Sequence, residues 1–287
     1  MASWLHYQQI SFTIPMTILQ TIILGIIQGI TEFLPISSSG HLVLAPHLFG
    51  WEIAPQDAFA FDVLVQVATL LAVFAYFWDD IQHIARAVFN GLWKKEPFGD
   101  PQARMGWYLV LATIPAGAAY LLFSDTFERA FGSPLATASF LLVTAALLLI
   151  AEKIGKRNRG FEKITWVDAL IVGAFQILAI FPGVSRSGAT IAGGMTRNLQ
   201  RPAAARFSFL ISIPIMLAGG VIGVLKLIEI PNYTSLLNAY FAGFVTAAIV
   251  GYIAIRWLLH YLSQRPLYIF AIYCLIFGLL NLALILL

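Results

Sequence analysis

The stretch that decides the fold is residues 28 to 41, Q-G-I-T-E-F-L-P-I-S-S-S-G-H. It places a carboxylate (Glu32), three consecutive hydroxyls (Ser37, Ser38, Ser39) and a histidine (His41) inside an apolar chain. Polar groups at membrane depth are costly, so their presence there points to function. Residues 17 to 34 are apolar with a helical pattern, and Gln28 and Glu32 stand one turn apart on one face. Pro35 stops this helix, and Ser37, Ser38 or Ser39 can N-cap a second one running to about Gly50. The first apolar stretch is marginal for a full span and the second is too short. The pair reads as a re-entrant hairpin, whose broken backbone is tolerated only where protein or a cavity surrounds it.

The same pattern returns 148 positions later. Gly173, Gln176, Phe181, Ser185, Ser187 and Gly188 stand at that offset from Gly25, Gln28, Phe33, Ser37, Ser39 and Gly40, with Arg186 in place of Ser38. A second hairpin is therefore expected over about 166–200.

Composition sets the medium. The chain of 287 residues is 60% hydrophobic and 11% charged, with mean hydropathy +0.84. A soluble domain carries about 25% charged residues, so the sequence predicts an integral membrane protein. The net charge of +3 comes from basic residues scattered through short loops, which suits membrane orientation and not nucleic-acid binding. Cys274 has no partner for an intrachain disulfide and reads as a small packing residue. No basic n-region precedes the first apolar run, so no cleavable signal peptide is expected.

Full spans are expected at about 58–78, 105–123, 134–151, 205–227, 236–258 and 267–286. Trp4 and Tyr7 suit an interfacial segment before them. Polar loops are expected at 79–104, at Asp125, Glu128 and Arg129, and at 152–164. Residues 1–85 contain no Lys or Arg, whereas 79–104 and 152–164 contain four and five, and Arg256 and Arg265 flank the last connection. The positive-inside rule makes those three loops cytoplasmic and both termini outward-facing. Each half then has one hairpin and three spans, and an odd number inverts the second half. The expected fold is an all-α membrane protein of one domain, with inverted repeats over about 17–151 and 165–287. Six transmembrane helices and two re-entrant hairpins would meet in a site near the midplane.

The two tips supply an anion site. S-S-S-G-H and S-R-S-G-A-T each open a helix, whose N-terminus offers free N–H groups and a positive dipole end. Arg186 suits phosphate oxygens, and Gly183 and Gly188 allow close backbone approach. Phosphate or diphosphate is the expected ligand. Glu32 would repel it unless a cation intervenes; Mg²⁺ or Ca²⁺ held by one carboxylate and substrate phosphates fits, with Gln28 adding a carbonyl oxygen. His41 can act as general acid, base or nucleophile, and a neighbouring serine can be the nucleophile once activated. His6, His47, His83 and His260 read as interfacial. Asp62, Gln66, Thr69 and Ser208 read as satisfying helix ends or neighbours, and Asp168 as a first-turn helix acid.

The two motifs, together with F-S-F-L-I-S-I-P at 207–214, resemble those of the undecaprenyl-diphosphate phosphatases, the bacitracin-resistance-type membrane phosphatases. The resemblance covers nearly the whole chain. It implies hydrolysis of a C55 polyprenyl diphosphate to the monophosphate, recycling a cell-wall lipid carrier, at a site open to the outer side of the bacterial plasma membrane and dependent on Mg²⁺ or Ca²⁺. By matching position, Glu32 is the essential acid, Ser38 the proposed nucleophile, His41 the essential histidine and Arg186 the phosphate-binding arginine. Ser185, Ser187 and Thr190 match the family's supporting hydroxyls; from the reading of the two tips themselves, Gln28, Ser37, Ser39 and Gly183 are also expected to bind substrate. Neutral Gln28 stands where many members carry Glu, which weakens it as a metal ligand. The expected mechanism has Ser38 attacking with help from His41, or His41 attacking directly. The partners implied are the lipid substrate and the bilayer; a homodimer stays open. A competing reading is a transporter or flippase for an anionic polyprenyl phosphate lipid, since inverted repeats around a midplane site are also transporter architecture.

Overall fold

The computed structural model describes residues 16–130, 133–230 and 233–287; Trp4, Tyr7 and His6 lie outside them. In chain order the helices are α1 (Ile18–Thr31), α2 (Ser38–Leu48), α3 (Pro55–Tyr76), α4 (Trp78–Trp93), α5 (Pro101–Ala130), α6 (Pro134–Ile154), α7 (Trp166–Leu178), α8 (Arg186–Thr196), α9 (Arg201–Ile228), α10 (Tyr233–Gln264) and α11 (Tyr268–Leu286), with a 3₁₀ turn at Phe161–Lys163. Among the described residues there is no strand, only an isolated bridge between Arg159 and Leu199. Six helices are long and apolar enough to cross a membrane: α3, α5 as far as Phe123, α6, α9, α10 from Tyr240, and α11. Leu121, Ile253 and Leu280 are among the large apolar side chains on their outer faces. That outside suits lipid, not water.

Two expectations about loops need correction. The polar segment after the first span is not a loop: residues 78–93 form α4. Its apolar residues recur at helical spacing, and Ile84 and Gly91 are buried. Asp79 and Asp80 favour its positive N-terminal end. The second loop is also helical. α5 runs on to Ala130 after a break at Phe123, where φ is −130°; the side chains of Asp125, Glu128 and Arg129 lie outside the described residues. α9 and α10 extend beyond the expected limits because no proline or glycine ends them at the apolar boundary.

The short helices α1 and α7 begin alike. Thr17 and Gln20 form a capping box at one, Thr165 and Asp168 at the other. Each then packs closely on a long helix. A Cβ at Gly25 would lie 2.5 Å from the Gly243 carbonyl oxygen of α10, and one at Gly173 would strike the Ala112 carbonyl oxygen of α5. With no hydrophobic drive between helices in lipid, such small-residue contact is what allows close packing. Asp168 is buried at the polar start of α7. Burial alone would raise its carboxyl, but hydrogen bonds from Arg159, Arg197 and Thr165 outweigh it and hold it at about 2.

Candidate active site

The site is made by two turns that follow α1 and α7. Glu32 ends α1, and the chain turns through Phe33–Ile36 into Ser37, the N-cap of α2. Ser37 has φ 74° and ψ 100°, outside the ordinary regions for a residue with a side chain. Such a conformation costs about 1–3 kcal/mol and persists only when surroundings over-determine it. Here its Oγ accepts from the Gly40 N–H at 3.2 Å. Its carbonyl accepts from the His41 N–H at 3.2 Å and lies 2.7 Å from the His41 ring Nδ1.

The second turn runs from Ala179 to Val184, and Ser185 caps α8. Gly183 sits there at φ 96°. Its carbonyl accepts from Thr144 Oγ1 at 3.2 Å, and the same hydroxyl accepts from the Ser185 N–H at 2.9 Å. The turns interlock: Ser187 Oγ donates to the Leu34 carbonyl at 3.1 Å, and the Gly183 N–H faces Ser39 Oγ at 3.5 Å.

Glu32 and Arg186 face each other across the interlocked turns, with Arg186 Nη2 to Glu32 Oε1 at 2.8 Å and side-chain exposures of 15% and 8%. The other carboxylate oxygen accepts from Ser38 Oγ at 2.7 Å and from Gln28 Nε2 at 3.2 Å. Arg186 also donates to the Ser208 carbonyl at 3.3 Å. Gln28 Oε1 is buried without a partner among the described residues. The first-turn N–H groups of Ser38, Ser39, Arg186 and Ser187 make no hydrogen bond among the described residues, which leaves them to an anionic oxygen.

Most of the expected residues thus come together, with one difference in pairing. The ring nitrogens of His41 go to the Ser37 carbonyl and, at 2.7 Å, to the hydroxyl of Tyr273. Ser38 is hydrogen-bonded to Glu32 and not to His41. Glu32 and Arg186, read separately as cation ligand and phosphate ligand, pair with each other. The cap hydroxyls are partly committed to structure: Ser37 and Ser39 lie 3.3 Å apart, Ser185 and Ser187 3.1 Å. Thr190 Oγ1 bonds the Arg186 carbonyl at 2.8 Å and Ser208 Oγ at 2.6 Å.

A model of the family described as bacitracin resistance protein BacA matches residues 21–280. The chain belongs to the BacA family. Among its curated relatives, the undecaprenyl-diphosphatase of Moorella thermoacetica is 44% identical over 261 residues, 90% of this chain and 94% of the relative. That of Chlorobium phaeovibrioides is 42% identical over 279 residues, 94% and 98% of the two chains. That of Myxococcus xanthus is 40% identical over 270 residues, 94% and 90%. The BacA-family assignment and the six apolar helices make this a multi-pass membrane protein.

Three residues at the candidate site are not assigned to it by the sequence. Thr144 lies in the apolar run of α6, Ser208 reads as a helix-satisfying hydroxyl, and Tyr273 reads as one more aromatic of the last span. Only the packing of α6, α9 and α11 around the turns brings them in. Thr69 does satisfy its own helix, bonding the Val65 and Gln66 carbonyls. Cys274 is buried with Sγ 3.6 Å from the Pro35 carbonyl oxygen.

Proposed function

We propose that this chain hydrolyses undecaprenyl diphosphate to the monophosphate and inorganic phosphate at the Glu32–Arg186–Ser38 constellation, recycling the cell-wall lipid carrier. The observation that carries the reading is that constellation: a serine hydroxyl on a carboxylate, and that carboxylate on an arginine, at two helix N-termini inside an apolar bundle. The relatives' names supply the substrate. The arriving phosphate competes with Glu32 for Arg186 and takes the free first-turn N–H groups. Ser38 Oγ attacks the terminal phosphorus, its proton passes to Glu32, and undecaprenyl phosphate leaves. Water then attacks the phosphoserine, giving up a proton to His41, while Glu32 returns its proton to the departing Ser38 Oγ; inorganic phosphate is released, and His41 passes its proton to solvent. Positioning and electrostatics carry such a transfer.

A divalent cation fits the residues present. Gln28 Oε1 is a buried oxygen without a partner, and Glu32 adds a carboxylate beside it. Substrate phosphates would complete the shell around such a cation. Mg²⁺ or Ca²⁺ would there offset charge on the phosphoryl oxygens.

The architecture we assign is one domain of two inverted repeats, each opening with a re-entrant hairpin, α1–α2 and α7–α8. The two capping boxes stand at the 148-residue offset of the motifs, as do the two cap-hydroxyl pairs. α1 packs on α10 while α7 packs on α5, the corresponding spans of opposite halves. We place the termini and the mouth of the site on the outer face of the bacterial plasma membrane, by the distribution of Lys and Arg. The same repeat favours lipid translocation as the second reading.

Purified protein in detergent, given the C55 diphosphate and a divalent ion, is expected to release phosphate and to stop with chelator. Glu32→Ala and Arg186→Ala should each lose about 10²–10³-fold in kcat or more. Lipid binding without any phosphate release would sink the hydrolase reading in favour of transport.

A further inference from the structure

His41 lies against two aromatic rings of the last helix, which also stack on each other. Tyr273 stacks on it at 5.6 Å between centroids and 9° between planes, Phe277 at 4.7 Å and 8°. These residues stand one turn apart on α11, so both meet the imidazole from one face of that helix. Cys274 on the same helix meets Pro35, so α11 also braces the turn that carries Glu32. Stacking fixes the ring plane, and the hydrogen bonds fix the rest. The Ser37 carbonyl, 2.7 Å from Nδ1, can only accept, so Nδ1 carries a proton. In the neutral ring Nε2 must then accept, and the Tyr273 hydroxyl at 2.7 Å is its donor.

We infer that Tyr273 is a positioning residue of the reaction: while the Ser37 carbonyl keeps the proton on Nδ1, the Tyr273 hydroxyl donates to Nε2 and aims it as the single basic nitrogen. This deepens the reading above and rests on it for the reaction, though the geometry stands without it. A proton accepted by His41 must be accepted at Nε2, the nitrogen that Tyr273 covers. The Nδ1–H stays on the Ser37 carbonyl, where it helps to hold the strained backbone beside Ser38. The ionisable groups on the elements around His41 are few. On α11 they are Tyr268 at its first position, Tyr273 and Cys274, whose thiol points to Pro35; at the turns, Glu32 and Arg186 engage each other. Those of α6, Glu152 and Lys153, lie at its far end, where Glu152 pairs with Arg157 and Arg201. A change in His41 titration is therefore attributable to the tyrosine.

The test is Tyr273→Phe, which keeps the stacked ring and removes the hydroxyl. Loss of a donor to the neutral ring makes His41 easier to protonate. Its titration, followed by ¹⁵N NMR of labelled histidine and assigned by the signal missing in His41→Gln, should move up by about half to one pH unit. The low-pH limb of kcat/KM should move with it, and kcat should fall about 10–100-fold with KM little changed. Phe277→Leu keeps the hydroxyl and should leave the titration within about 0.2 unit of the original. An unmoved or downward-moved titration in Tyr273→Phe overturns the inference, whatever happens to activity. Wild-type protein that releases no phosphate sinks the hydrolase reading instead, and the NMR titration still decides the role of the tyrosine.

Discussion

Gly183→Ala tests how tightly the second turn is built. Two costs add at this position. Its φ of 96° is one that a residue with a Cβ rarely adopts, at a cost of about 1–3 kcal/mol. A Cβ there would also overlap the Thr137 carbonyl oxygen and crowd Phe140 Cβ at 3.1 Å. The overlapping atom is backbone of α6, not a flexible side-chain end, so relief needs a retreat of roughly an ångström by the turn or by α6. Retreat of the turn breaks both Thr144 bonds, to the Gly183 carbonyl and from the Ser185 N–H. It carries Arg186 away from Glu32. Misplacement of about 1 Å costs on the order of 100-fold in rate, and the variant should lose about 2–4 kcal/mol of stability. Phosphate release and a thermal melt in the same detergent measure both. Gly50→Ala is the control: φ is 64° but nothing lies within 4 Å of its Cβ, at the far end of α2. It should cost about 1 kcal/mol and leave the rate unchanged. Full activity in Gly183→Ala, or equal rate losses in both variants, would refute the reasoning.

Two further expectations follow from charge. Arg186→Lys keeps the cation but loses the planar fork that meets Glu32 and the Ser208 carbonyl together; phosphate release should fall at least about 100-fold, and near-normal turnover would show that a point charge suffices. Asp168→Asn removes a buried carboxylate and leaves Arg159 and Arg197 without their ionic partner, at about 2–3 kcal/mol at neutral pH. Because the folded carboxyl titrates at about 2 and the free one at 3.8, that advantage is full above the free value and is lost as pH falls through the folded one. The gap in melting temperature between wild type and Asp168→Asn should close on acidification; a constant gap would contradict the ion-pair account.

Much of the site is legible because membrane interiors punish polarity. Glu32, the serines and Arg186 stand out against an apolar chain, and they do meet. Their pairing is not legible. Glu32 and Arg186 lie 154 positions apart, and a charge alone does not say whether it serves a ligand or another side chain. α4 reads as a loop because its charged residues keep it far below the hydropathy of a span, although its apolar residues recur at helical spacing, and the end of α5 does so because Phe123 breaks the helix without ending it.

The sequence by itself determined the medium, the six apolar spans and the two polar turns, since composition, helical period and proline or serine at helix ends are local properties. Only the tertiary structure decided what the polar groups do to each other. Ser38 goes to Glu32 and His41 to Tyr273 because two turns interlock and α11 packs beside them. Hydrogen bonds depend on distances of a few tenths of an ångström between residues far apart in the chain, and no spacing in the sequence encodes these.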